Sequence, residues 1–574
     1  MSTQTAAVSA SGPAAAGRQG STPALTKVNG TILAAAVAVL VAQLANALPG
    51  ALNGTFQQYF GTVGSQLTWI TAGFMIPVVV FELTFGMLGD RFGHRRLTIL
   101  GAVTVAIGSL VCALAPSVQV MWIGSAINGL GAGAMYPASL ALIAAVTVTP
   151  QQRARAIAVW AGCLSAGGIV APLLGGGFAS AGAWQWSYGV VVVLCLLTAV
   201  VCLVWSAEST SQSGRRMDLW GQITFALGLI LVLFGLVQGP ESGWGVPSVV
   251  YSLIAGVVLL ALFVVIETRV EHPLLKLSLF KNVNYSITSI IAVVGMFAFL
   301  GICFSFSMWL GPVQHQDPIN IGLLFLLLQG PAFVLIPLIS WLMTRVPDRI
   351  VLTTGLTLLA AAGLLGATTL DVTDRGMGQF LLPALLAGLG FAFTLSPMTA
   401  LAINTVPREL AGMASATTNL LRDLGFALGP VLVGAVALSG AARQLGASLA
   451  TSTLPPDQLG PAQGIFEAGG PFALNSIPPQ APGGAAGELA LQSLGTGFGQ
   501  AFLMCAIAAG LSALLVLVGL RTAPEPAPEP ELLADPLPGA VTAHPGPQTN
   551  LHADDAAGRP DVDEAPEPAG APGR

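Results

Sequence analysis

Three ionisable residues in this sequence sit where water is scarce: Glu82, Arg422 and Asp423 each lie well inside a long apolar stretch. A charge at the centre of a bilayer costs about 2.5–3.5 kcal/mol on insertion scales, so each needs a cavity, a partner or a function. Together they bring two carboxylates and one guanidinium, a net of −1 when all are ionised. One carboxylate can be neutralised by the arginine, which leaves the other free to take up and release a proton. That chemistry makes Glu82, Asp423 and Arg422 the candidates for proton coupling. A structural ion pair beside a permanently protonated or wetted Glu82 is the competing reading. Glu82 lies eight residues before Asp90, roughly 12 Å of helix, which is too far for a glutamate to snorkel. Asp423 projects about 100° around the helix from Arg422, so each is expected to find its partner on another helix.

Polar Gln43, Asn46, Asn128, Tyr136 and Asn419, with the aromatics Phe297, Phe304 and Trp309, are the candidates to line a central cavity. Such a cavity takes amphipathic molecules by apolar contact and a few polar anchors. The competing reading for any one of them is that it is there simply for helix packing or an interhelical hydrogen bond. The six cysteines fall inside apolar stretches without metal-ligand spacing, and the five histidines lie in loops, tails or a span end. No Cys/His cluster, Gly-x-Ser-x-Gly elbow or Walker loop is present. The expectation is no metal, no cofactor and no enzymatic activity, and an ATP-driven pump has no support.

These residues are positioned by about fourteen long apolar stretches. Charged residues are only 8% of the 574 and hydrophobic ones 54%, against about 25% charged in soluble domains. A water-soluble surface cannot be built from that composition, and the expected class is an all-α polytopic membrane protein. The spans read as 30–49, 67–88, 97–115, 119–147, 156–180, 185–206, 219–238, 246–267, 286–312, 319–343, 350–370, 377–404, 411–439 and 497–520. Most reach the roughly 20 residues needed to cross a hydrocarbon core. The runs are continuous rather than alternating, which excludes a strand-built barrel.

Thirteen basic residues of the short loops fall on one side of this arrangement, among them Arg215, Arg216 and Arg408, and two, Arg375 and Arg443, on the other. The bias puts the basic side and both termini in the cytoplasm. Residues 1–28 and 521–574 read as disordered tails. The second carries ten acidic residues against three basic ones, which accounts for the chain's net −5. No nucleic-acid partner is needed to explain the charge.

The two halves repeat. GLGAGAMYPASLALI from Gly129 to Ile143 corresponds to GLGFAFTLSPMTALAI from Gly388 to Ile403, with Pro137 and Pro397 at an offset of 260. Arg91 and Arg345 stand 254 apart, and Pro172 and Pro430 258 apart. The expected organisation is a six-helix bundle at 29–206, a linker with two inserted spans at 207–284, and a second bundle at 285–520 with an outer loop at 440–496.

Two parallel six-span halves are the architecture of the major facilitator transporters. GMLGDRFGHRRL, Gly86 to Leu97, resembles that superfamily's signature loop, with Gly86, Asp90, Arg91, Gly93, Arg95 and Arg96 in place. The inserted spans and the long segment before the last span look like its fourteen-span drug/proton antiporter family. GIVAPLLGG resembles the antiporter motif of span 5, where Gly167, Pro172, Gly175 and Gly176 match and Ala171 replaces a glycine. Two charges usual in the family are missing: Ser125 stands for an arginine in span 4 and Leu40 for an aspartate in span 1. Asn419 and Arg422 match its usual pattern in span 13.

The resemblance implies a major facilitator fold in which spans 2 and 13 pack together, so that Glu82 meets Arg422 or Asp423. It also implies that Asp90 holds the two halves together on the cytoplasmic side. The implied function is export of hydrophobic or amphipathic small molecules across the cell membrane, by proton antiport and alternating access, in a monomer embedded in the lipid bilayer. A lipid or metabolite carrier with another ion or none, and a transport-inactive receptor or scaffold, are the alternatives.

Overall fold

Chains this apolar must satisfy every backbone N–H and C=O internally, and helices do so within one segment. A computed structural model describes residues 25–62, 65–147, 149–209, 218–270, 273–406 and 411–520. The two tails up to residue 24 and from 521 on, and Arg215, Arg216 and Arg408, lie outside the described residues. The described residues form α1 (Leu25–Ala47), the short α2 (Asn53–Phe60), α3 (Gln66–Phe92), α4 (His94–Ala113), α5 (Val118–Val146), α6 (Pro150–Ser180) and α7 (Gln185–Trp205). They continue with α8 (Leu219–Ser242), α9 (Pro247–Glu267), α10 (Val283–Met308), α11 (Pro318–Val334), α12 (Ile336–Met343), α13 (Asp348–Thr368), α14 (Gly378–Asn404), α15 (Ala411–Ala450), α16 (Pro456–Asn475) and α17 (Gly487–Gly519). Among them thirteen helices are long and apolar enough to cross a membrane, and the bent pair α11–α12 brings the number to fourteen when counted as one span.

Local signals set several ends. Thr149, Asp218, Asn282 and Asp317 cap α6, α8, α10 and α11 by accepting backbone N–H groups, which answers the open donors of a first turn. Gly93 turns α3 into α4 at φ 103°, a backbone region that glycine enters without strain.

Packing repeats between the halves. In the first, α4 lies on α5 and α7, α3 on α5, and α1 on α6 and α7; in the second, α13 lies on α14 and α17, α11 on α14, and α10 on α15 and α17. The correspondence extends to single atoms. A methyl group on Gly129 of α5 would lie 2.0 Å from the Phe74 carbonyl oxygen of α3, and one on Gly388 of α14 would lie 2.1 Å from that of Leu327 on α11. Likewise a methyl on Gly167 would be 2.5 Å from the Leu40 carbonyl oxygen, and one on Gly425 2.3 Å from that of Val293. Only a residue without a side chain permits helix backbones this close.

The bundles meet along α3 with α15 and α6 with α11. The inserted pair α8–α9 packs on itself, and α8 also packs against α3 and α15. We call the end that carries Asp90 and its arginines the basic end. Side-chain hydrogen bonds between the bundles cluster, among the described residues, at the opposite end. There Asn53 Nδ2 donates to Ser307 Oγ at 2.8 Å, Ser307 Oγ to the Gly50 carbonyl, and Ser180 Oγ to Asp317.

Two expectations change. The segment 440–496 is largely helical rather than a loop: α15 runs on to Ala450, α16 follows, and α17 begins at Gly487. Leu445, Leu449, Leu474 and Ala490 there bury one another in a small core of their own, an amphipathic pattern too short in each helix to register as a span. Span 10 is broken at Leu335 with a bend of 44°. Pro331 and Pro337 flank the break, and each withholds a backbone donor. Pro77 of α3 occupies the position that repeats as Pro331, yet α3 runs through it.

Candidate functional site

Where the two bundles face each other at mid-depth they share a partly open cavity of about 60 Å³. The first bundle supplies Gln43 and Asn46 from α1, Phe74, Met75 and Val78 from α3, Tyr136 from α5, and Leu164 and Ser165 from α6. The second supplies Gln329 from α11, Phe391 and Leu395 from α14, and Arg422, Asp423 and Phe426 from α15. The space is enough for a few waters and well below the 300–1,000 Å³ of a typical small-molecule pocket. Bundle movement must enlarge it before it admits a drug-sized molecule. A larger groove of about 300 Å³ lies between α3, α4 and α5, lined by Phe85, Leu88, Leu97 and Leu100 with Arg96 among them. It involves one bundle alone and lacks converging polar groups.

The charged cluster assembles at the cavity, with one pairing that spacing alone had ruled out. Arg422 Nε donates to Asp423 Oδ1 at 2.9 Å, and both side chains are largely buried. The arginine stem is long enough to fold back over the 100° between neighbours. Its Nη1 meanwhile donates to Asn419 Oδ1 at 3.2 Å, one turn earlier. Glu82, 6% exposed, faces this pair from α3, with the Asp423 carboxyl and the Arg422 guanidinium as its charged neighbours. Glu82 Oε2 is buried without a hydrogen-bond partner. Two ionised carboxylates offer only acceptors, so a hydrogen bond between Glu82 and Asp423 exists only when one of them carries a proton.

A polar line leads from this cluster into the first bundle. Tyr136, which shares the electrostatic surroundings of Asp423, Arg422 and Glu82, donates its hydroxyl to Gln43 Oε1 at 3.0 Å. Asn46 Nδ2 lies 3.5 Å from the same oxygen. Gln43, Asn46 and Tyr136 therefore line the cavity, and Asn419 supports it through Arg422. The other four candidates lie elsewhere. Asn128 is buried between α4 and α5, its Oδ1 accepting from Ser109 Oγ at 3.1 Å. Phe297, Phe304 and Trp309 are packed into the core of the second bundle, Trp309 against Phe502. A sequence shows that an aromatic residue is in a helix but not which way that helix turns. Ser165, Gln329, Phe391 and Phe426 were missed for the same reason.

The antiporter motif forms two seams. Gly167 and Gly175 meet Leu40 and Leu48 of the first bundle's own helices, and Gly176 meets the second bundle, where a methyl group would lie 2.5 Å from the Pro318 carbonyl oxygen. In return, a methyl on Gly322 of α11 would lie 2.6 Å from the carbonyl oxygen of Pro172.

At the basic end, Asp90 Oδ1 meets His94 Nε2 at 3.2 Å across the Gly93 turn, and among the described residues it bonds no side chain of the second bundle. Arg91 lies over Phe92, and Gly86 has open space around it. Arg95 Nε donates to the Cys202 carbonyl at 3.1 Å and its Nη2 to that of Leu203, which closes the last turn of α7. Glu208 completes the loop: Oε1 accepts from the Arg95 backbone N–H at 3.2 Å and Oε2 lies 3.6 Å from Arg96 Nε. No motif in the sequence pointed to Glu208.

Comparison with known proteins bears on the family and the fold. The sequence profile of the Major Facilitator Superfamily matches residues 35–430. The multidrug resistance protein Stp of Mycobacterium tuberculosis is 30% identical over 381 residues, 66% of this chain and 70% of that one. The tetracenomycin C resistance and export protein of Streptomyces glaucescens is 30% identical over 508 residues, 87% of this chain and 93% of that one. In fold, the crystal structure of a bacterial homologue of the human lysosomal transporter Spinster superposes with a TM-score of 0.59 at 16% identity, covering 88% of this chain and all of that one.

Proposed function

This chain belongs to the Major Facilitator Superfamily, and from that premise we propose that it exports hydrophobic or amphipathic small molecules in exchange for protons. The observation that carries the reading is the meeting of Glu82, Asp423 and Arg422 beside a cavity shared by both bundles. Relatives named for drug resistance and export support the substrate class.

Arg422 neutralises Asp423, and the remaining carboxylate is the carrier. A proton on it brings the cluster from −1 to 0 and lets the two carboxyls hydrogen-bond across the interface. Its release restores their repulsion, and that difference favours one relative position of the bundles over the other. Gln43, Asn46 and Tyr136 anchor polar groups of the substrate, while Phe74, Phe391 and Phe426 contact its apolar body. With Leu40 and Ser125 uncharged, α3 and α15 supply the charge for coupling.

The cluster of contacts opposite the basic end supports a state open toward the basic side. Asp90 acts when that side closes, by reaching the second bundle. Thirteen loop cations against two support a cytoplasmic basic end, both termini in the cytoplasm and the outer position of α16, and relatives named for drug resistance and export support residence in the plasma membrane. The working unit is a monomer in lipid.

Purified protein in liposomes, loaded with a fluorescent amphipathic dye and given an imposed pH gradient, tests the scheme. Dye is expected to move uphill only when protons run downhill the other way. Downhill leakage unaffected by gradients of either sign would rule out antiport.

A further inference from the structure

The inserted hairpin α8–α9 carries three acidic residues for which the transport scheme has no use; Glu241, near the end of α8, accepts from Ser65, and the other two meet at the hairpin's base. Asp218 caps α8, with Oδ1 accepting from the Gly221 N–H at 2.9 Å. Glu267 ends α9, and its Oε2 accepts from the Leu275 N–H at 3.0 Å. Each carboxylate thus spends one oxygen on a backbone amide and keeps one over. The spare atoms, Asp218 Oδ2 and Glu267 Oε1, are buried without a hydrogen-bond partner, in residues 7% and 4% exposed. Both line the same small space. A methyl group on Gly221 would lie 2.5 Å from Asp218 Oδ2 and 2.9 Å from Glu267 Oε1.

We infer that Asp218 and Glu267 form a second proton-binding site, in which one proton shared by Oδ2 and Oε1 clasps the start of α8 to the end of α9. A single proton satisfies both orphan atoms at once, because an O–H on one donates to the other. A hard metal cation would need about six or more oxygen ligands, and this site offers two. The helix ends decide where the proton sits. Asp218 lies at the positive N-terminus of α8, which favours its anion, and Glu267 lies at the negative C-terminus of α9, which does not. The acid is therefore Glu267, donating from Oε1 to Asp218 Oδ2.

Asp218 is the charge that acts on Glu267. Of the helices packed against α8, α3 carries Glu82 and, at its end, Asp90 and Arg91, while α15 carries Arg422 and Asp423 at the cavity and Arg443 toward its far end. Glu82, Arg422 and Asp423 are engaged with one another, and Asp90 with His94. Arg269 and Lys276, which follow α9, are exposed. The clasp matters to transport because α8 braces α3: Gln222, one turn beyond Asp218, donates to the Val80 carbonyl at 2.5 Å, two residues from Glu82. Release of the proton to solvent leaves two facing anions and loosens the base of that brace.

The test is backbone hydrogen exchange of full-length protein in lipid nanodiscs over a pH series, corrected for intrinsic rates and read at Gly221 and Leu275. In the native protein, protection at both amides is expected to fall by about tenfold or more as pH rises and the shared hydrogen bond is lost. Glu267→Gln keeps a donor that cannot ionise and should make protection high and independent of pH. Asp218→Asn, whose amide donates to an ionised Glu267, should do the same at Leu275 and serves if the first variant misfolds. Protection in the native protein that is flat with pH, or an unchanged pH-dependent fall in both variants, overturns the proposal. Recovery of protection at high pH on adding Ca²⁺ or Mg²⁺ alone overturns it in favour of a cation site. None of these readouts depends on which molecule is transported.

Discussion

Replacement of Arg422 by alanine tests the central cluster most severely. With Nε and Oδ1 2.9 Å apart, and an effective dielectric constant near 20, their attraction is about 6 kcal/mol. Much of that only offsets the cost of burying both groups, so the net effect of losing one partner is smaller, about 3–5 kcal/mol for a broken buried pair. The substitution takes the cluster from a net of −1 to −2, leaves Asp423 unpaired at 5% exposure and removes the donor to Asn419. Arg422→Ala should therefore impair folding as well as transport. Adding Asp423→Asn brings the charge back to −1, borne by Glu82, and removes the abandoned carboxylate. The double variant is expected to regain about 2 kcal/mol or more of what the first lost, as coupled neighbours do. Unfolding in mixed micelles, followed by tryptophan fluorescence for all four members of the cycle, measures this directly. A double variant no more stable than Arg422→Ala, or a loss under about 1 kcal/mol in the single variant, would show that the pair is a wetted contact with no hold on the interface.

Glu82→Gln, and separately Asp423→Asn, should abolish dye efflux driven by a pH gradient while leaving some downhill exchange; uphill pumping in both variants would remove the carboxylates from coupling. Asp90→Asn should slow or unbalance alternating access with substrate binding retained, as equilibrium dye binding and flux measured on the same preparation will tell. Single cysteines in a background without the six native ones should be labelled from outside in α16 and from the cytoplasm at Arg215, and the reverse pattern would invert the orientation. Burial, and then the nearby Arg375, hold the His315 imidazole below its usual range. Its neutral form therefore contributes stability above the ordinary histidine pKa of about 6.5, and this is lost as pH falls through the lowered value. His315→Asn, which tolerates the φ of 52° there, should flatten the acid side of a thermal-unfolding series.

The helices and their repeat were legible because lipid imposes a length and a composition on each span, and because glycines such as Gly129 and Gly388 admit no substitute where backbones touch. Glu82 meeting the charges of span 13 was legible only through the resemblance to the major facilitator fold, which packs spans 2 and 13 together; the residues alone said that a buried charge needs a partner, not which one. The pairing of Arg422 with its own neighbour was not, because a helical wheel gives the direction of Cβ and an arginine has three further carbons to redirect. Asn128 and Tyr136 look alike as polar residues eight positions apart in one span, and only the packing of α5 sends one toward α4 and the other toward the cavity. The helical character of 440–496 stayed hidden because α16 is built of Pro, Gly and Ala with few large apolar residues, and its small core exists only once α15 and α17 lie beside it.

The carbonyl-to-glycine seams have a mechanical meaning. An interface made of long side chains yields by changing rotamers, whereas one in which backbone rests on backbone has no compliant layer. Gly129 on Phe74 and Gly167 on Leu40, with their counterparts Gly388 on Leu327 and Gly425 on Val293, place such incompressible joints inside each bundle at matching points. Each bundle is therefore stiff; joints of the same kind at Gly176 and Gly322 also fix α6 against α11 where the bundles meet, so displacement concentrates where softer material lies: the side-chain-lined faces around the cavity and the broken helix at Leu335. Because that break occurs in one half only, the two stiff bodies are unequal partners, and the second can flex at its basic end through α12 while the first must move as a whole.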